Sequence, residues 1–100
     1  MANYIVPSIG TLDEYNLWPF VGRALGLIYA VKLISPNVWS VHGHIVRWDG
    51  AGFVCDCEDW ERHHVEQGGW CKHSIAVALQ SSSYRERIVA AMEERKVAHV

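Results

Sequence analysis

All three cysteines of the chain lie in two short triplets, Cys55-Asp56-Cys57 and Cys71-Lys72-His73. The pattern is Cys-x-Cys, a loop, and then Cys-x-His. Three thiolates and one imidazole are soft or borderline donors, and together they can complete the tetrahedral shell of a zinc ion. The sequence therefore predicts one structural Zn2+ bound by Cys55, Cys57, Cys71 and His73.

The spacing within each pair indicates how the backbone must present it. Cys55 and Cys57 would project to the same face of a strand, because side chains alternate along a strand. Cys71 and His73 would point about 200° apart on a regular helix. They converge only if Cys71 precedes a helix and His73 lies in its first turn, which the apolar run from Ile75 favours.

Other histidines offer alternatives for the fourth ligand. His63 and His64 lie in the loop between the triplets and could replace His73, although exposed loop positions suit them better. His42 and His44 would share one strand face, but no cysteine or carboxylate is grouped with them to suggest a second metal site. Three unconnected core cysteines, a reactive thiol pair and an iron–sulfur ligand set also remain open, with zinc favoured for three cysteines and one histidine.

A shell filled by four protein ligands has no open position for water, so hydrolysis at such a metal is excluded. The chain shows no Ser/His/Asp order, phosphate-binding glycine loop or His-Glu-x-x-His pattern. The four other acids of the loop are expected to be solvated: Glu58, Asp59, Glu61 and Glu66. We therefore expect no catalytic residues and no enzyme.

The composition is that of one small domain. The chain has 100 residues, half of them apolar, and a formal net charge of −2, which does not favour a polyanion partner. The longest largely apolar run, Trp18 to Ile34, contains Arg23 and Lys32 and is a poor membrane span. The N-terminus lacks the pattern of a signal peptide, and three cysteines cannot all pair internally. We expect an intracellular protein in a reducing compartment, with no membrane association.

The N-terminal part is predicted to be helical. Thr11 to Glu14 matches a capping box, since an acid follows threonine by three residues. A helix from about Leu17 to Leu25 would place Phe20, Ala24 and Leu27 on one apolar face.

A small antiparallel sheet is predicted next. Residues 27–34 are β-favouring, residues 38–47 read as one alternating strand, and residues 49–52 form a hairpin turn before a third strand, 53–55. In the second strand, even-numbered and odd-numbered residues would face opposite ways. The third strand would carry the chain to the first two cysteines.

Two helices are predicted after the second triplet. The first covers residues 74–80, and a second capping box at 83–86 starts a helix to about Ala98. A core-facing stripe on that last helix is formed by Tyr84, Ile88, Met92 and Arg95.

The order Cys-x-Cys, variable loop and Cys-x-His, with the Cys-Lys-His triplet followed by an aliphatic helix, resembles the SWIM-type zinc finger over about Leu33 to Gln80. That family also has a strand pair before the first cysteines. The resemblance implies a ββα finger with Cys55, Cys57, Cys71 and His73 as ligands. Its members occur in chromatin-remodelling ATPases, transposases, recombination-associated proteins and ubiquitin-pathway proteins, where they bind DNA or other proteins.

The expected fold class is α+β, with an N-terminal helix, a small antiparallel sheet, the ββα-type finger and a C-terminal helix. We expect a single zinc-stabilised domain, 1–100, with a finger core of about 33–80 and helical extensions at 11–27 and 83–98.

The expected function is a non-catalytic, zinc-binding protein-interaction adaptor that acts in nucleic-acid transactions. The alternative is direct DNA or RNA binding, through cations and aromatic rings near the site: Arg47, Trp48, Arg62, Lys72 and the loop residues Trp60 and Trp70. Six acids between Asp49 and Glu66, offset only by Arg62, disfavour that alternative. Self-association through the C-terminal helix is a further option.

Overall fold

A four-stranded antiparallel sheet in the order β1-β2-β3-β4 forms one layer of the computed structural model, which describes residues 5–98. The strands are β1 (Val31–Ser35), β2 (Val38–Val41), β3 (His44–Trp48) and β4 (Phe53–Cys55). The helices are α1 (Ile9–Glu14), α2 (Trp18–Leu25), a 3-10 turn (Ile28–Ala30), α3 (Glu58–His63), α4 (Lys72–Ala78) and α5 (Ser82–Ala98). The predicted α+β class is confirmed.

The first helix starts earlier than the capping box at Thr11 predicts. Ser8 caps α1, because its Oγ accepts the Thr11 N–H at 3.1 Å. Of the two hydroxyl residues Ser8 and Thr11, which lie three positions apart, the first is the cap. The predicted helix start at Thr11 is therefore wrong.

The second helix agrees closely with the predicted range. Its buried face is centred on Val21 and Ala24, while Phe20 and Leu27 are only partly buried against the core. Of the three residues predicted to form the apolar face, only Ala24 is thus fully buried.

The predicted single strand at residues 38–47 is wrong, because the chain reverses within it. His42 and Gly43 have φ angles of 50° and 87°, the left-handed pair that a two-residue hairpin turn requires. The reversal pairs Trp39 with Val46, so both residues lie on the buried face. The predicted alternation had placed these two on opposite faces.

The predicted hairpin turn at residues 49–52 is confirmed. Asp49 Oδ1 accepts the N–H groups of Ala51 and Gly52 at 2.8 and 2.9 Å, and these bonds hold the pKa of the Asp49 carboxyl below its usual value. Beyond the turn, Cys55 pairs with Val46 on β3. The sheet therefore fixes the position of the first cysteine.

Helix α4 is the central element of the core. It contacts α2 on one side and β2, β3 and β4 on the other. Its residues from 73 to 78 are all buried. Because this helix directly follows Cys71, the second ligand pair is anchored in the core.

The last helix begins at Ser82, one residue before the predicted start. Tyr84 and Ile88 are buried and Met92 is partly buried, which confirms the predicted stripe. The side chain of Arg95, its fourth predicted member, lies outside the described residues. The hydroxyl of Tyr84 donates to the carbonyl of Pro7, so α5 is tied to the segment before α1. Among the described residues, no helix is long and apolar enough to cross a membrane.

Candidate metal centre

The donor atoms of Cys55, Cys57, Cys71 and His73 all lie within 4.8 Å of one another. All four side chains are buried. The two triplets, which thirteen residues separate in the sequence, therefore meet at one point in the fold.

The first pair is held between a strand and a helix. Cys55 is the last residue of β4, and Cys57 is the N-cap of α3, where its Sγ accepts the Trp60 N–H at 3.3 Å. Sequence reasoning treated this region as a loop and missed α3. The signal was present, because Glu58 and Asp59 lie in the first turn, where acids favour a helix start.

The second pair is presented as its spacing predicts. Cys71 is the N-cap of α4, and His73 lies in the first turn. The Ser74 hydroxyl accepts the Cys71 N–H at 2.9 Å and lies 3.0 Å from the Cys71 carbonyl oxygen. This capping starts α4 at Lys72, two residues before the predicted start. As a result, the Cys71 thiol and the His73 ring both lie in the donor cluster.

The spacing of the donor atoms fits zinc. Zinc–sulfur and zinc–nitrogen bonds of about 2.3 and 2.0 Å in a tetrahedron place the ligand atoms about 3.6–3.8 Å apart. The Nδ1 atom of His73 lies 3.6 Å from Cys55 Sγ and 4.0 Å from Cys71 Sγ. Donor chemistry and geometry together support one structural Zn2+, which would meet His73 at Nδ1.

The thiols differ in acidity. A hydrogen bond from Cys55 lowers the pKa of Cys71 to about 4, and hydrogen bonds from His73 and Ser74 add to this effect against the cost of burial. The same hydrogen bond raises the pKa of Cys55, as does its burial. Burial also raises the pKa of Cys57. All three thiols could be held as thiolates beside the positive charge that a zinc ion would supply, so zinc binding would release protons.

The two loop histidines make other contacts. His64 donates from Nδ1 to the Trp60 carbonyl at 2.7 Å and stacks on the Trp60 ring, with 4.0 Å between centroids. His63 Nδ1 lies 3.6 Å from a carboxylate oxygen of Glu66. Within residues 5–98, neither histidine belongs to the cysteine cluster, whereas His73 does.

His44 lies beside the cluster, a position that the sequence does not reveal. Its ring centroid is 4.5 Å from that of His73, and its Nδ1 lies 3.0 Å from Asp56 Oδ1. His42 is exposed in the β2–β3 turn and does not share a strand face with His44. The contact between the two rings follows from the packing of α4, which carries His73, against β3, which carries His44.

The residues predicted to bind nucleic acid lie on three elements of the fold, β3, α3 and α4. Arg47 is exposed on β3, whereas Trp48 follows it on the opposite face and packs edge-on against Phe53 at 5.1 Å. Arg62 pairs with Glu58 at 2.7 Å. Lys72 is the first residue of α4 and is half-buried.

The two loop tryptophans pack inward. Trp60 Nε1 donates to the Gly69 carbonyl at 3.2 Å. Trp70 is buried and lies 5.5 Å from Phe53, centroid to centroid. Both rings therefore serve the packing around the metal centre.

The SWIM zinc finger family model matches residues 52–81, which include all four clustered donors. The predicted resemblance is thereby confirmed for this segment, and the match begins after the strands β1 to β3. Searches of curated proteins and of solved structures returned no significant match.

Proposed function

We propose that the SWIM zinc finger at residues 52–81 is the metal-stabilised core of a non-catalytic protein-interaction adaptor that acts in nucleic-acid transactions. In this proposal Cys55, Cys57, Cys71 and His73 bind one zinc ion and leave no position open for a substrate. The sheet and flanking helices complete a single domain, with a finger core of 33–80 between extensions at 11–27 and 83–98. A reducing intracellular compartment suits the three free thiols.

The observation that carries the proposal is the exposed apolar surface along strand β1. This strand pairs with β2 on one side and forms an edge of the sheet. Leu33 and Ile34 expose 66% and 55% of their surface, and Tyr29, just before the strand, exposes 79%. An open strand edge with apolar side chains can pair with an extended segment of another protein.

The charge of the finger surface favours a protein over a nucleic acid. Helix α3 carries Glu58, Asp59 and Glu61 in its first turn, and Arg62 is already paired with Glu58. Phosphate groups would be repelled there, since nucleic-acid affinity depends on unpaired cations at the surface.

Direct DNA or RNA binding is the second candidate. Arg47 is exposed on β3, and Lys72 stands at the start of α4, where a helix end is favourable to anions. These two cations support a nucleic-acid contact that does not involve α3.

A salt titration separates the two candidates. Binding of labelled single- and double-stranded DNA and RNA is measured by fluorescence anisotropy from low to physiological salt. The adaptor proposal expects no binding even at low salt. Binding with a steep salt dependence that Arg47→Ala or Lys72→Ala reduces would overturn it in favour of direct nucleic-acid binding.

The β1 surface is tested by matched variants. Cross-linking in cells, followed by identification of the captured protein, compares the wild type with Leu33→Lys and with Val65→Lys. Val65 is also 79% exposed, but it lies within the finger segment 52–81 and not on β1. Loss of one captured partner in Leu33→Lys alone is expected. Equal capture by both variants would contradict the assignment of the surface.

Self-association is a separate question. The apolar stripe of α5 is already used in the core, so a dimer through this helix would have to use its other face, where Val89 is 41% exposed. Size-exclusion chromatography with light scattering measures the mass directly.

A further inference from the structure

We infer that His44 and Asp56 form an outer layer of the metal centre that positions His73 relative to the Cys55–Cys57 pair. Neither residue is one of the four clustered donors. The inference rests on zinc binding as proposed above, and it assigns to these two residues the control of how tightly the ion is held.

His44 contacts the only imidazole of the donor set. Its ring lies 4.5 Å from the His73 ring, at an angle of 41° between the planes. His73 is 3% exposed, whereas the side chain of His44 is 42% exposed. A half-exposed ring packed on a buried one restricts its rotation and helps to exclude water from it.

Asp56 attaches the Cys55–Cys57 pair to β3, the strand that also carries His44. Its N–H donates to the Ile45 carbonyl at 3.2 Å, and its Oδ1 accepts the Ile45 N–H at 3.1 Å. These reciprocal bonds continue the pairing of β4 with β3 beyond Cys55. They hold the turn between Cys55 and Cys57 in place.

One hydrogen bond joins the two halves of this layer. The Nδ1–H of His44 donates to Asp56 Oδ1 at 3.0 Å, because an ionised carboxylate can only accept. A continuous chain of contacts therefore runs from Asp56, in the first triplet, through His44 to His73, in the second. It links the two ligand pairs without passing through the metal.

Because the side chains of His44 and Asp56 are partly exposed, a role in positioning the metal ligands can be distinguished from a role in folding stability alone. The side chains of His44 and Asp56 are 42% and 54% exposed, and a polar contact between side chains so exposed contributes little to folding stability. In contrast, groups that orient metal ligands alter metal affinity about 10- to 100-fold when they are changed. The two roles therefore predict different readouts.

The experiment compares three variants of the full chain for zinc affinity, by competition with a chromogenic chelator. His44→Ala removes the ring and the hydrogen bond, and we expect about 10- to 100-fold weaker zinc binding. His44→Phe keeps a ring over His73 but loses the bond to Asp56, and Asp56→Asn keeps an acceptor but loses the charge. Both are expected to lie between His44→Ala and the wild type.

His42→Asn is the matched control, because it changes a nearby histidine in a left-handed turn position that asparagine tolerates. Cobalt-substituted proteins give a second readout, since the visible absorption of Co2+ reports ligand geometry. We expect shifted bands in His44→Ala and wild-type bands in His42→Asn.

The outcomes are distinguishable. Wild-type affinity and wild-type cobalt spectra in all three variants would overturn the inference and leave zinc binding intact. A wild-type chain that binds no zinc would overturn the proposed function and this inference with it. If His44→Ala does not fold, the two conservative variants decide the question by the same two readouts.

Discussion

Gly68 lies directly against the ring of Tyr15. A Cβ placed on Gly68 would be 2.7 Å from Tyr15 Cε2 and 2.8 Å from Cδ2, closer than real Cβ atoms approach other atoms. Gly68 also has a φ angle of 63°, which side chains disfavour. The glycine loop of the finger and the end of α1 thus meet at a contact with no spare room.

We expect Gly68→Ala to destabilise the zinc-loaded chain more than Gly69→Ala does. Gly69 has a φ angle of 85° but open space around its Cα, so its substitution costs only the left-handed strain of about 1–2 kcal/mol. Gly68→Ala adds the overlap with Tyr15, about 1–3 kcal/mol for an overpacked contact. Denaturant unfolding measures both free energies.

A second background isolates the cause. In a Tyr15→Ala chain the overlap disappears, so the two glycine substitutions are expected to cost the same. If the two substitutions lower the free energy of unfolding equally in the wild-type background, the Tyr15 ring can move aside without a cost in stability.

Zinc removal is expected to unfold at least residues 50–80. Zinc contributes on the order of 10–16 kcal/mol in small finger peptides, whereas whole domains are stable by about 5–15 kcal/mol. Trp60 and Trp70 lie in the affected segment, so the near-ultraviolet circular dichroism should collapse on chelation and return with one equivalent of zinc. An unchanged spectrum and melting temperature after complete chelation would refute a structural ion.

Ser74→Ala is expected to weaken zinc binding and to lower stability. The buried Ser74 hydroxyl accepts the Cys71 N–H and lies 3.7 Å from Cys71 Sγ. Its loss leaves a buried N–H without an acceptor, at about 1–3 kcal/mol. Ser83→Ala, at an exposed position in α5, is the control for chelator competition and denaturation. Equal behaviour of the two variants would mean that Ser74 has no role in holding Cys71.

Tyr84→Phe is expected to lower the free energy of unfolding by about 1–3 kcal/mol. The phenol donates to the carbonyl of Pro7, and phenylalanine leaves that buried acceptor without its partner. Denaturant unfolding tests this, with Tyr29→Phe, at an exposed position, as control. If Tyr84→Phe lowers the free energy of unfolding no more than the control does, the bond between Tyr84 and Pro7 does not contribute to stability.

The same residue gives an alkaline pH dependence. Burial raises the pKa of Tyr84 above its ordinary value, so the unfolded chain releases this proton at a lower pH than the folded chain does. The contribution of neutral Tyr84 is therefore complete below about pH 10 and is lost as the pH rises towards the folded-state pKa. Unfolding free energies from pH 8 to 11 should fall less steeply in Tyr84→Phe than in the wild type. Parallel slopes would contradict the burial effect.

The sequence predicts the metal site more completely than it predicts the sheet that surrounds the site. Cys71 and His73 are close in sequence, and helix geometry alone requires a cap at one and a first turn at the other. The hairpin at His42 and Gly43 could not be predicted in this way, because histidine-glycine is not among the usual pairs for such turns and the flanking residues alternate as in one continuous strand. Strand register is set by pairing across the sheet, so the contact between His44 and His73 depends on a turn that the local sequence does not specify.

The hydrogen bond between Tyr84 and Pro7 joins residues 77 positions apart. It therefore ties the segment before α1 to the first turn of α5, and everything from α1 to α4 lies between these two points along the chain. Because closing so long a segment costs conformational entropy, this contact is expected to form only together with the packing of the elements that it encloses.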